Sequence, residues 1–144
     1  MKENKNYIST SRRNIGLANE LDLGKLPPQA LDLEESVLGA LMLEKDALTD
    51  VIDILKPDNF YKDANKEIYN AIIDLFNNSE PVDLLTVTNQ LKKNGKLDFV
   101  GGAYYVTQLT TRVNSASNIE YHARIILEQS IKKIGRAVQQ ECRD

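Results

Sequence analysis

The sequence predicts an all-α fold, a compact bundle of about five helices followed by one long C-terminal helix. Three observations lead there. From Pro28 onward, apolar residues recur every three or four positions, the helical period. Asp32, Asp46, Asp83 and Ser117 stand where helices would begin, and each residue type can cap one. Pro, Gly and Asn stand where they would end. The 144 residues, 42% hydrophobic and 27% charged, suit one globular domain, which at this length buries roughly two-thirds of its unfolded surface.

Residues 1–25 mix Asn, Ser, Lys and Arg with scattered apolar residues and hold no period, so a flexible tail is expected. Lys2, Lys5, Arg12 and Arg13 make it locally basic. Leu26-Pro27-Pro28 ends the tail, because proline fixes its own backbone and restricts the residue before it. Asp32 and Glu35 then form a D-x-x-E capping box ahead of Leu33, Val37, Leu38, Leu41 and Met42, which share one helical face. Gly39 inside that helix costs roughly 1 kcal/mol against alanine, which predicts the close approach of a neighbouring helix.

Asp46 is expected to cap a second helix with Leu48, Val51, Ile52 and Leu55 inward, stopped by Lys56-Pro57. A third helix begins near Asp63, carries Ile68, Ile72, Leu75 and Phe76, and ends in Asn77-Asn78-Ser79. Asp83 caps a fourth with Leu84, Val87 and Leu91 inward, and Asn94-Gly95 supplies a left-handed C-terminal cap onto which Leu97 folds. Gly101-Gly102 opens a short fifth helix with Tyr105 and Leu109 on its stripe and Tyr104 beside it.

Ser117 and Glu120 make an S-x-x-E box. Behind it Ile119, Ala123, Ile126, Leu127, Ile131, Ile134, Ala137 and Val138 keep the helical period for about twenty residues, roughly 30 Å. The preceding helices are two to four turns each, so the C-terminal half of that stripe is expected to need another partner, the alternative being that the whole stripe packs within this chain. The expected organisation is therefore a tail (1–25), a globular bundle (26–116) and a long helical arm (117–144). Leu127, at the junction, with Ile131, Ile134 and Val138 are the candidate contacts to another helix or subunit.

Catalytic chemistry finds no footing. The phosphate-cradling pattern G-x-x-x-x-G-K-[ST] is absent, since Gly24-Lys25 and Gly95-Lys96 are each followed by leucine and lack the upstream glycine. His122 is the sole histidine and Cys142 the sole cysteine, so neither a metal cluster nor an internal disulfide is expected, and a reducing cytoplasmic setting follows. The acidic group Asp32, Glu34 and Glu35 reads as charge favouring a helix N-terminus. A net charge of −3 argues against strong binding to a phosphate backbone. Neither a membrane span nor a secretory signal is expected. These features leave open a free-standing helical module that binds DNA or protein, with Lys132, Lys133 and Arg136 as its best cationic run.

The motifs in order add a resemblance. Leu26-Pro27-Pro28 and Glu34-Glu35-Ser36-Val37-Leu38-Gly39-Ala40-Leu41-Met42 resemble the opening of the N-terminal domain of DnaB-type replicative DNA helicases. The likeness continues through Phe60-Tyr61, Ile68-Tyr69, Pro81-Val82-Asp83-Leu84-Leu85-Thr86-Val87 and Gly95-Lys96-Leu97. Val100-Gly101-Gly102-Ala103-Tyr104, Ser115-Ala116-Ser117-Asn118-Ile119 and Tyr121-His122-Ala123 complete it, so that it covers about residues 26–130. Asn65 departs from the histidine many members carry, and residues 135–144 depart from the family's usual continuation.

The resemblance implies an orthogonal helical bundle whose long last helix is the first arm of a helical hairpin. It implies a non-catalytic collar domain in which hairpins pair subunits as dimers within a hexamer. Its implied partners are the C-terminal domain of primase and a helicase loader, with little direct DNA binding. No cofactor is expected in this chain. ATP and Mg would belong to the ATPase domain of a longer parent protein.

Overall fold

The computed structural model describes the backbone of residues 28–113 and 116–141 and the side chains of residues 30–113 and 117–132. The expected tail, Cys142 and the side chains of Ile134 and Val138 lie outside the described residues. Among those described, all regular structure is helical, as predicted. The helices are α1 (Pro28–Leu43), α2 (Ala47–Val51), α3 (Asp63–Asn77), α4 (Leu84–Lys93), α5 (Leu97–Val100), α6 (Gly102–Thr111) and α7 (Ile119–Glu141). Two 3-10 turns, Pro57–Asn59 and Ala116–Asn118, join α2 to α3 and lead into α7.

Helix α1 runs through the middle of the bundle and packs against α6 and α7. Val37, Leu38, Ala40, Leu41 and Met42 are buried along it, whereas Leu33 is only half-buried. Gly39 meets α6 at its closest approach. A β-carbon there would strike the Leu109 carbonyl oxygen and lie 2.6 Å from Val113 Cγ2, so the glycine is required by contact. Pro28 is the first residue of α1, a position where its missing N–H costs nothing. The helix thus starts four residues before the Asp32 of the predicted capping box, which lies inside it.

The second predicted helix is shorter than its apolar pattern. Only Ala47–Val51 is regular, and the Val51 carbonyl then accepts from both Ile54 and Leu55 N–H as the chain turns. Asp46 flanks α2 without a side-chain cap; instead Thr49 Oγ1 donates to its carbonyl at 2.6 Å. Leu48, Val51 and Leu55 are buried, and Ile52 is half-buried.

Helix α3 contributes Ile68, Tyr69, Ala71, Ile72 and Leu75 to the core, while Phe76, in its last turn, is exposed. Tyr69 is fully buried, donates its hydroxyl to the Leu55 carbonyl at 2.9 Å and packs on Phe60 with ring centroids 4.9 Å apart. Burial pushes its hydroxyl up to about 12.

Two helix ends close in the same way. Ser79 (φ 58°) and Gly95 (φ 68°) adopt the left-handed conformation. Glu80 N–H then reaches the Leu75 carbonyl at 2.8 Å, and Lys96 N–H the Leu91 carbonyl at 2.9 Å. At the start of α4 the Asp83 carboxylate accepts from Thr86 N–H (2.9 Å) and Thr86 Oγ1 accepts from Asp83 N–H (2.9 Å), which is the predicted cap. Leu97 begins the one-turn helix α5, an element that its short pattern concealed.

Helix α7 begins at Ile119, after the 3-10 turn that contains Ser117, so the predicted S-x-x-E box lies across the turn and the helix start. Glu120 reaches forward to Arg124 at 2.7 Å. The 23 residues of α7 span roughly 34 Å.

Candidate functional site

The first half of α7 belongs to the bundle. Ile119, Ala123, Ile126 and Ser130 recur every three or four residues and are all buried against α1, α2 and the first 3-10 turn. Asn59 Nδ2 donates to Ser130 Oγ at 3.1 Å and ties this line to the turn that precedes α3. Leu127 and Ile131 lie roughly a quarter turn round the helix from that line. Leu127 is half-buried at the edge of the core, and Ile131 is 59% exposed. The structure thus brings two of the four expected contact residues onto one flank. Ile134 and Val138 continue the same period in the helical backbone, but their side chains are outside the described residues.

The remaining described surface of α7 carries paired charges and the exposed ring of Tyr121. Arg124 pairs with Glu120, and Lys132 with Glu128 at 3.5 Å, each along the helix. Lys132, part of the best cationic run in the sequence, is therefore partly neutralised by its own helix. His122 is half-buried, with its ring 6.2 Å from that of Tyr121.

A second constellation is one that sequence reasoning assigned differently. Glu34, read as part of the charge favouring a helix N-terminus, is 2% exposed. Its carboxylate accepts from the backbone N–H of Tyr61 (2.7 Å) and Lys62 (3.4 Å) and from Asn65 Nδ2 (3.0 Å). A side chain of α1 thereby caps the start of α3, whose own N-cap residue, Lys62, provides no side-chain bond.

Asn65, the departure from the family's histidine, is fully buried, and its Oδ1 accepts from the Tyr105 hydroxyl at 2.6 Å. Lys62 Nζ donates to the same hydroxyl at 3.2 Å and lies 4.3 Å from the Tyr105 ring centroid. Glu35 completes the array by pairing with Arg112 at 2.7 Å. The cluster therefore joins α1, the start of α3 and α6.

Burial raises the Glu34 carboxyl above its ordinary value of 4.5. The bonds from Asn65 and the two backbone N–H groups oppose that shift, and the charge of Glu35 adds to it. The Tyr105 hydroxyl is also pushed up, first by burial and then by Glu35. No buried side-chain polar atom among the described residues lacks a partner. A satisfied network of this kind holds helices in place. Helical spacing was the available signal, since Ala30, Glu34, Val37 and Leu41 share one face.

A family model described as the DnaB-like helicase N terminal domain matches residues 26–128. The chain belongs to this family. It is 46% identical over 111 residues to the replicative DNA helicase DnaB of Rhodothermus marinus, covering 77% of this chain and 12% of that protein. It is likewise 46% identical over 107 residues to the replicative DNA helicase DnaC of Bacillus subtilis, covering 74% of this chain and 24% of that protein. The chain thus spans a quarter or less of the length of these relatives.

Its fold is similar to the crystal structure of the N-terminal domain of DnaB helicase from Mycobacterium tuberculosis, with a TM-score of 0.73 and 41% identity over 82% of this chain and 84% of that one. A DnaB-like replicative helicase, from a structure described with its interactions with primase, shares the fold at a TM-score of 0.67 and 24% identity, over 76% of this chain and 26% of that one. The family match ends at residue 128, so it includes Leu127 and stops short of Ile131.

Proposed function

We propose that the chain is the non-catalytic N-terminal collar domain of a hexameric replicative DNA helicase. It pairs subunits through the flank of α7 and offers a docking surface to primase and a helicase loader. The whole protein unwinds duplex DNA in the cytoplasm, and its ATP and Mg are held by a separate motor domain. Membership of the DnaB-like N-terminal family supports the general reading. The observation that carries the pairing role is Ile131, 59% exposed one turn beyond the half-buried Leu127 on a helix whose other flank is already buried. An apolar side chain so placed contributes nothing to the bundle and is available to a second helix.

Sedimentation velocity of the chain and of Ile131→Asp tests the pairing. The variant is expected to self-associate at least tenfold more weakly, with unchanged helical circular dichroism. Equal association of the two proteins would rule out this flank as the contact. Calorimetric titration with the C-terminal domain of primase tests the docking role, and no binding at micromolar concentrations would count against it.

A further inference from the structure

The turn that joins α4 to α5 concentrates positive charge beside an exposed ring. Lys92 and Lys93 close α4, Lys96 precedes α5, and all three lie within five residues. Lys66, Arg112, Arg124 and Lys132 elsewhere are paired with carboxylates, whereas these three lysines, like Lys45, Lys56 and Lys62, have no ion-pair partner among the described residues. Asp98, in α5, is the one acidic residue between Lys92 and Phe99, and Asp74 of α3 approaches the turn by accepting from Asn94 Nδ2 at 3.2 Å. Phe99 stands in α5, three residues after Lys96. It is 56% exposed, and Lys96 Nζ lies 5.4 Å from its ring centroid. Tyr104, at the start of the adjoining helix α6, is 74% exposed.

Lysines in the last turn of a helix favour its dipole, which accounts for Lys92 and Lys93 by themselves. It does not account for a large ring left in water next to a third unpaired lysine. We propose that this turn is a contact site for single-stranded nucleic acid, with Phe99 as a stacking platform for a base and Lys92, Lys93 and Lys96 facing the phosphates. Single strands fit this chemistry because every base has a flat face to stack, while cations follow the backbone between bases. An acidic peptide would find the same charges, but a lone ring is not the apolar groove that a peptide's side chains require. The site lies on the bundle, away from the flank of α7, so its failure would leave the subunit-pairing reading intact.

Fluorescence anisotropy of a labelled oligo-dT of twenty nucleotides, titrated with the full chain across a salt series, tests the site. Binding is expected at micromolar protein and low salt. Phe99→Ala should weaken it about tenfold, the effect of losing one stacked base. Charge reversal at all three lysines should make the slope of log K against log salt shallower by about 2, near the 0.7 per phosphate contact expected for a single strand. Circular dichroism of each variant should match that of the parent chain. No detectable binding would overturn the proposal, as would equal binding by parent and variants, which would assign the contact to the basic residues 1–25. Loss on charge reversal with no effect of Phe99→Ala, or equal competition by polyglutamate, would overturn it in favour of a purely ionic surface for acidic protein segments.

Discussion

Glu34 and Ile131 break the same rule in opposite directions: a carboxylate is buried to 2% exposure, and a large aliphatic side chain stands 59% exposed. The carboxylate is tolerable inside because three donors converge on it. It sits where α1 must meet the start of α3, so its role is architectural. The isoleucine has no such compensation within the bundle. Its helix has already buried Ile119, Ala123 and Ile126, and Ile131 lies on the flank they do not occupy. Burial with every bond satisfied marks structure, whereas the exposure of Ile131 is the feature on which the proposed subunit contact rests.

The sharpest way to break this contrast is Glu34→Ala. It strands two backbone N–H groups and the Asn65 amide, and is expected to cost about 4 kcal/mol in urea unfolding. A loss below about 1 kcal/mol would mean that the carboxylate is not the brace described. Gly39→Ala serves as an interior apolar control. Its new methyl meets the Leu109 backbone, which cannot step aside as a flexible side chain would, and a loss of about 2 kcal/mol is expected in the same measurement.

The pH dependence of stability gives a smaller effect of definite sign. A carboxyl whose value is raised on folding binds its proton more tightly in the folded chain than in the unfolded one. The stability contributed by Glu34 is therefore fullest in acid and is lost as pH rises from 4.5 through the raised value. Comparing chemical unfolding of the parent and Glu34→Gln across that range should show this slope in the parent and not in the variant. The smallest change in monomer stability, within about 0.5 kcal/mol, is expected for Ile131→Asp, because the site is exposed. A much larger loss in unfolding experiments on the monomer would move Ile131 from the contact flank into the core.

Helix existence was legible wherever period and punctuation agreed. Helix α3 begins at the predicted Asp63, α4 carries its predicted aspartate cap, and the left-handed Gly95 ends it. Boundaries failed where two start signals competed. Pro28 and Asp32 both announce α1, and the proline prevails because helical geometry suits its fixed backbone angle. Position 117 offered a similar box, but the chain makes a 3-10 turn there before α7 starts at Ile119. Phe76 continues the four-residue line of Ile68 and Ile72 and is still exposed, because it falls in the last turn of α3, one residue before the helix ends at Asn77.

What the sequence determined by itself was the helical class, the greater part of the core, Gly39 as a point of close approach and, through the ordered motifs, the family. Each of these depends on local period or on residues read in order along the chain. Tertiary structure alone decided that Glu34 is a buried cap, with Asn65 and Tyr105 in its network. Hydrogen bonds between residues 31 and 40 positions apart leave no periodic trace in a single sequence. It also decided that the described part of α7 is covered along Ile119, Ala123, Ile126 and Ser130 while Ile131 stays exposed. That depends on how far α1, α2 and the first 3-10 turn extend beneath the helix, which is a matter of packing and not of pattern.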